Sequence, residues 1–498
     1  MASKYADDSD TNGVRTTDIE NFLRVIEGND QEAALQSLYE SCGWSPASQW
    51  QKPVTEYGDS LPEWKSHVVR SMTNIGQFEI DGESFQRAGR YTNAVLALMF
   101  KAMTGNASRY TGLVLEGYSY QGSSRDGLKV ISPDEFDAML TFHIKGLRYM
   151  DKKIEKNGQE VAGFCYIRVA ETITAEQLEE RYPELYRCGI FEMKADSVFI
   201  SSRKLHQCIF ESIVDKSIQD IENISKASHL HGRNLPTIKR KMNPPSINIV
   251  LQVSNRGGAI HPEKIDIDIV PALLLYTEYE RSDEGQSVPF PVYAICKWTE
   301  SESSKAFDFA DSESIWHISR VSYENYIFDV ARQDHRQRCV MMAIRLLKTY
   351  FTKARAGKEE HTPQVVSLLK SYHIKQIGLY TLLHLCYKKP DIVLHGTEDS
   401  VRYIFTFMDN ALKVQHLPHF FHSHSEIKLI FPNYPTNPEA LSYDLFHDID
   451  ADALHQAQIS WNDRVATDFL FQSGLSPDLD TLIKSCSFRA SLLADKCF

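Results

Sequence analysis

Two segments constrain this chain more than any others: EFDAMLTFHI at 135–144 and KIDIDIVPALLL at 264–275. Side chains alternate across a β-strand, so residues two apart share a face. In the first segment Phe136, Ala138, Leu140, Phe142 and Ile144 fall on one wholly apolar face. Glu135 and Asp137 share the other, at the end next to a Gly-Ser turn, Gly122-Ser123. In the second, Ile265, Ile267 and Ile269 point one way, and Asp266 and Asp268 the other. Taken alone, each acid pair reads as the wet face of a half-buried strand. Two such strands on a common core bring the acids together, and converging carboxylates repel unless a cation neutralises them. Hard divalent cations, Mg²⁺ or Mn²⁺, suit oxygen ligands. A pair of them activates an attacking hydroxyl and steadies a leaving phosphate oxygen. The Gly-Ser turn suits a triphosphate, because Gly lets backbone approach and N–H and hydroxyl groups hold phosphate oxygens.

The rest of the chain reads as a mixed α/β lobe followed by a helical lobe. The 498 residues suffice for two or three domains. Thr17–Glu20 and Asn29–Glu32 read as capping boxes for helices ending near Gly28 and Gly43. A long helix is expected from Arg90, and strands at 113–118, 135–144, 161–168, 197–201, 246–253 and 264–275. Lys239 to Pro245 reads as a basic, Pro-flanked loop. Helical spacing marks 331–356, 362–387 and 397–414. The expected divisions are 1–85, a helical extension; 86–305, the α/β lobe; 306–435, the helical lobe; and 436–498, a tail.

Composition narrows the classes. No apolar run is long enough to span a bilayer, and MASKYADDSDTNG has no signal-peptide core. The nine cysteines stand singly, which suits a reducing cytosol and predicts no structural zinc. His335 with Cys339 reads as an ordinary helix pair. The net charge of −12 leaves room for a local basic face. Between Arg332 and Lys358 stand eight Lys or Arg and one acid, Asp334.

Gly122-Ser123, Glu135-Phe136-Asp137 and the later Asp268 resemble the motif of the cyclic GMP-AMP synthase-like receptors, Mab-type nucleotidyltransferases, in spacing and order. Asp266 is the fallback for the third acid. Trp316-His317-Ile318-Ser319 falls where that family has Trp-Arg-x-Ser, and Ser371-Tyr372-His373-Ile374-Lys375 resembles its Ser-Tyr-His-x-Lys segment. The resemblance covers roughly residues 90–435. It implies an α+β, two-lobed nucleotidyltransferase fold, with a mixed-sheet catalytic lobe and a helical C-terminal lobe. It implies two Mg²⁺ or Mn²⁺ ions on Glu135, Asp137 and Asp268. Gly122, Ser123, Lys348 (or Arg345), Ser371, Tyr372 and His317 would meet nucleotides. The implied activity joins nucleoside triphosphates, ATP and GTP, into a cyclic dinucleotide read by a STING-type receptor in innate immune signalling. Two rivals are a linear oligonucleotide-forming enzyme and an inactive binding or developmental protein on the same fold.

Two departures stand out. His317 replaces an Arg, which puts base identity in question because His lacks the planar, permanently charged fork. The family's DNA-sensing zinc module has no counterpart in ENYIFDVARQDHRQRC. Many invertebrate members of that family lack the module too and some are activated by double-stranded RNA, so the resemblance implies such RNA as an activator, with dimerisation on that ligand; RNA duplexes are read by shape and phosphate contacts. Arg332, Arg336, Arg338, Lys353, Arg355 and Lys358 are the expected face. The expected location is cytoplasmic.

Overall fold

The computed structural model describes residues 13–54, 80, 82–195, 197–227, 236–243, 246–253, 264–281, 285–297, 312–356, 362–394, 396–422 and 425–466. Lys358 lies outside them.

Two short helices, α1 (Thr16–Glu27) and α2 (Gln31–Cys42), open the described chain. Their N-caps are Arg15 and Asp30, not the positions the capping-box pattern suggested, but Gly28 and Gly43 end them as expected. The long helix α3 spans Gly82–Ala107 and buries residues nearly all round. It can do so because α1, α2 and a later helix cover one side and the sheet the other. The leading segment also sends two tryptophans onto the first strand, β1 (Leu113–Gln121). Trp44 lies over Gly117, which sits at a bulge with φ +146°, and a Cβ there would come within 2.4 Å of the indole. Trp50 stacks on Tyr120 with ring centroids 3.7 Å apart.

After a one-turn helix, α4 (Gly122–Asp126), come β2 (Glu135–Ile144), β3 (Tyr149–Lys156) and β4 (Gln159–Val169). Helices α5 (Ala175–Arg181) and α6 (Pro183–Arg187) lead to the short strands β5 (Phe191–Lys194) and β6 (Ser197–Ile200). Helix α7 (Glu211–Ala227) follows and packs on α3. Next are β7 (Thr237–Asn243), β8 (Ser246–Gln252), β9 (Lys264–Arg281), β10 (Ser287–Cys296) and β11 (Ile315–Ser319). They form one 11-stranded sheet of order β1-β2-β9-β10-β11-β4-β6-β5, with β8 also on β9, β7 on β8 and β3 on β4. The β2–β9 pair is parallel and the other named pairs are antiparallel.

Several expectations change here. The stretch 237–243, read as a basic loop, is a strand, because β8 offers its backbone a continuous ladder. Strand β11 lies in the sheet although it falls past the boundary drawn at 305; it pairs with β10 and β4.

The helical lobe holds α8 (Val321–Gln333), α9 (His335–Ala356), α10 (Gln364–Leu368), α11 (Ser371–Leu382), α12 (Thr397–Val414) and α13 (Ala451–Ser460). A π-helical turn, Leu383–Lys388, extends α11. Phe446, Leu454 and Trp461 are buried in this lobe's core, so the described part of the expected tail belongs to it. The sheet and α1–α3 share the other large core. Among the described residues no helix is long and apolar enough to cross a membrane.

Candidate active site

Strand register decides where the acids go. Gln121, the last residue of β1, lies opposite Asp137 on β2. On the other side β2 runs parallel to β9, with Glu135 opposite Asp266 and Asp137 opposite Asp268. The carboxylates of Glu135, Asp137 and Asp268 converge, each offering an oxygen within 4.8 Å of the other two. Asp266 is outside this group and its carboxylate meets Lys264 Nζ at 2.5 Å.

The chain turns over this cluster at Gly122, whose φ is +74°. A Cβ at this position would lie 1.9 Å from Asp137 Oδ2, so only Gly lets the backbone pass so close to the carboxylate. Ser123 follows in α4, and its carbonyl accepts from the Leu128 N–H at 2.9 Å. The neighbouring Ser124 hydroxyl donates to the Glu135 carbonyl at 2.8 Å, which fixes the turn against β2.

The three acids differ in their electrostatics. Asp268 Oδ1 accepts from Asn248 Nδ2 at 2.9 Å and Ser246 Oγ at 3.1 Å. Glu135 meets the Lys129 ammonium at 3.0 Å, and that charge holds its carboxyl below the ordinary range. Asp137 is pushed up to about 7, first by burial and then by the charges of Glu135 and Asp268. Lys129 contacts Glu135 directly, and its charge only partly offsets the rise at Asp137. The donor set is all oxygen and anionic, and one member is driven toward protonation, so Mg²⁺ or Mn²⁺ fits these residues.

The helical lobe closes on the same turn. Lys348 is buried, donates to the Leu128 carbonyl at 3.0 Å, and is brought down to about 7 by burial and by the Lys129 and Lys375 charges. Arg345 is fully buried and its Nε donates to the Lys129 carbonyl at 3.4 Å. Arg125 makes a two-pronged contact with Asp329 of α8, at 2.7 and 2.6 Å. Lys375, the last residue of the Ser-Tyr-His-x-Lys segment, donates to Asp126 at 2.6 Å and to Glu324. Sequence reasoning missed this buried Asp126–Lys375–Glu324 group. Its members lie on α4, α11 and α8, and no local pattern links them.

Ser371 and Tyr372 form the exposed first turn of α11. Tyr372 is 39% exposed and its hydroxyl lies 2.7 Å from His419 Nε2. His317 on β11 packs edge-on to Phe164, with His419 and His422 beside it. Its neighbour Trp316 is fully buried and donates from Nε1 to the Ile200 carbonyl at 2.9 Å.

The expected nucleic-acid face is largely committed within the chain. Arg332 Nη1 donates to the Lys52 carbonyl at 3.0 Å. Arg336 reaches the carbonyls of Pro390, at 2.7 Å, Leu385, at 3.1 Å, and Ile392. Arg338 donates to the Arg332 carbonyl at 3.0 Å, and Arg355 to Val366 at 2.8 Å and to Leu369. Lys353 lies half-buried on α9.

Residues 124–328 match the family model of the Mab-21 protein nucleotidyltransferase domain. A cyclic GMP-AMP synthase-like receptor of Trichogramma pretiosum is 24% identical over 164 residues, 32% of this chain and 31% of that protein. The match therefore spans about a third of that relative's length. A CdnE cyclic dinucleotide synthase of Elizabethkingia meningoseptica, solved with GTP and Apcpp, aligns over 81% of this chain and 98% of its own at 12% identity, with a TM-score of 0.34. The CdnC:HORMA-deltaN complex of E. coli MS115-1 aligns over 85% and 98% at 12% identity, with a TM-score of 0.40. Glu135, Asp137, Asp268 and His317 all fall inside the span, residues 124–328, that resembles the Mab-21 protein nucleotidyltransferase domain.

Proposed function

We propose that this chain joins nucleoside triphosphates, ATP and GTP, into a cyclic dinucleotide. The observation that carries this reading is the β2–β9 register, which sets Asp268 beside Asp137 under the Gly122 turn. Divalent ions on the three acids would neutralise charge on the attacking and leaving oxygens. Gly122 and Ser123 hold the triphosphate against that edge. Asp268 takes the proton of the attacking ribose hydroxyl. That oxygen bonds to the α-phosphorus of the second nucleotide, the bond to the β-phosphate bridging oxygen breaks, and pyrophosphate leaves. A second such step closes the ring. Tyr372 offers a ring on which a base stacks, and Ser371 and Lys348 support the triphosphate side.

The proposed trigger is double-stranded RNA, with two chains meeting on one duplex. The proposed reader of the product is a STING-type receptor. The test is incubation of the purified chain with labelled ATP and GTP, Mn²⁺, and a panel of RNA and DNA duplexes, followed by chromatography. A cyclic dinucleotide formed only with long RNA is the expected result. A ladder of lengths would make the chain a linear polymerase. No product under any condition would make it a binding protein on this fold.

A further inference from the structure

Among the described residues a second group could hold a metal ion, and it shares no residue with the first: His317, His419 and His422. His317 projects from β11, whose register fixes it between Phe164 of β4 and Ile295 of β10. His419 and His422 come from the segment after α12, on a turn closed by the His422 N–H donating to the His419 carbonyl at 3.1 Å. The turn brings both rings to one side, with centroids 4.5 Å apart and 6.1 and 5.4 Å from His317. One nitrogen from each lies within 4.8 Å of the other two. Around one zinc ion, with Zn–N near 2.0–2.1 Å, such nitrogens stand about 3.3 Å apart. A small inward rotation of the rings supplies the difference.

The surroundings suit a ligand set. His422 Nε2 is buried and has no hydrogen-bond partner among the described residues. The His422 ring is hydrogen-bonded to the Ile318 backbone. That contact takes its other nitrogen, fixes the tautomer and leaves the Nε2 lone pair bare, as outer-shell carbonyls do for metal-bound histidines. Gly163, at φ +82°, makes room: a Cβ there would stand 2.8 Å from His422 Cδ2. Tyr443 stacks on His419, at 5.5 Å and 13°, and Phe164 walls off His317. Burial holds all three imidazoles neutral at physiological pH, His317 down at about 3. On binding an ion His419 gives up one of its two contacts, the Phe421 N–H on Nδ1 at 3.2 Å or the Tyr372 hydroxyl on Nε2 at 2.7 Å. The nearby Arg320 guanidinium is committed to Glu278. His422 also lines a cleft of about 720 Å³, which gives an ion a way in and water a fourth position.

We propose that His317, His419 and His422 form a binding site for a late first-row divalent ion, with Zn²⁺ the natural occupant. Neutral imidazole suits Zn²⁺, whereas the carboxylate cluster suits hard cations, so the two sites differ in the ion they select. The expectation of no structural zinc came from cysteine spacing, and this site uses no cysteine. An ion here would tie β11 of the sheet to the helical lobe. It would also fix His419, whose Nε2 meets the Tyr372 hydroxyl.

The test uses the full chain, stripped with a chelator and titrated with Co²⁺. The expected result is one tight equivalent per chain, with the visible bands of a nitrogen-ligated four-coordinate ion, displaced by Zn²⁺. His422→Gln should weaken binding by more than the roughly 10–100-fold that loss of an outer-shell partner costs. The Glu135→Gln/Asp137→Asn variant should keep the signal. A wild-type chain that takes up no Co²⁺ tightly would overturn the proposal without any variant. So would unchanged binding in His422→Gln and His317→Gln, or a strong thiolate band placing the ion on cysteines.

Discussion

The chain contains two triads of charge within a few residues of the same turn, and they have been treated oppositely. Asp126, Lys375 and Glu324 are buried, with one ammonium between two carboxylates. Glu135, Asp137 and Asp268 converge as three carboxylates, and the one ammonium in direct contact with them, Lys129 on Glu135, is shared with Asp134. The first group is neutralised mostly by the protein itself, so it holds structure. The second is left short of positive charge, which costs free energy unless something from solution supplies it. A cluster that a fold leaves unbalanced is where a ligand belongs.

The largest effect that could break this contrast is on turnover. Metal-borne charge stabilisation is worth several kcal/mol, so Glu135→Ala with Asp137→Ala should cut nucleotidyl transfer about a thousandfold or more. The same double variant should melt no lower than wild type, because repulsion is removed. Retained turnover would sink the assignment of the acids; a large loss of stability would mean they are structural, like their neighbours.

Lys375→Met reverses the pattern. It leaves two buried carboxylates without their cation, and breaking such a group costs about 3–5 kcal/mol. Denaturant unfolding should show a loss of that size. Combining it with Asp126→Asn and Glu324→Gln should restore most of the stability, since the charges then vanish together. If Lys375→Met alone were silent, the buried group would not be holding the lobes.

Tyr372, three residues before Lys375, separates binding from stability. It is exposed, and base stacking is worth roughly 1–3 kcal/mol. Tyr372→Ala should weaken nucleotide binding about ten- to a hundredfold for every base, with little change in melting. A loss confined to one base would show that the ring reads identity and is more than a platform.

The smallest effect is a slope. Folding raises Asp137 from its ordinary 3.8 to about 7. Between those values the folded chain keeps a proton that the unfolded chain has released. Cation-free stability therefore falls as pH rises through that window and levels off above it. Glu135 acts the other way, but only as pH falls through the acid range below its ordinary value. Asp137→Asn should flatten the melting profile between pH 4 and 7, and Mn²⁺ should raise the wild-type melting temperature more at the top of that window than at the bottom.

The carboxylate cluster was legible because alternation is a local property. Strand β2 begins and ends where its pattern says, Glu135 to Ile144. Alternation alone left Asp268 and Asp266 open, since both share a face of β9; the family resemblance pointed to Asp268, and it is the Asp268 carboxylate that joins Glu135 and Asp137. Strand β10 was missed because Pro289 and Pro291 argue against a strand within a sheet. Helix α7 was passed over although Ile213, Val214, Ile218 and Ile221 carry a helical stripe. The buried ion group was beyond reach for another reason: Asp126, Lys375 and Glu324 lie on three separate helices. His419 and His422 do stand three apart in one segment, but His317 comes from a distant strand, so their meeting is not written in either stretch.

The fastening of residues 125–129 has a mechanical consequence. Arg125 is clasped by Asp329 on α8, Asp126 by Lys375 on α11, and the carbonyls of Leu128 and Lys129 by Lys348 and Arg345 on α9. Three helices therefore grip one short stretch of chain, and its last residue reaches Glu135 through its ammonium. A torque on α9 arrives at the acids after two contacts. The helices cannot swing against the sheet and leave the Gly122 turn where it was: the turn is the crank.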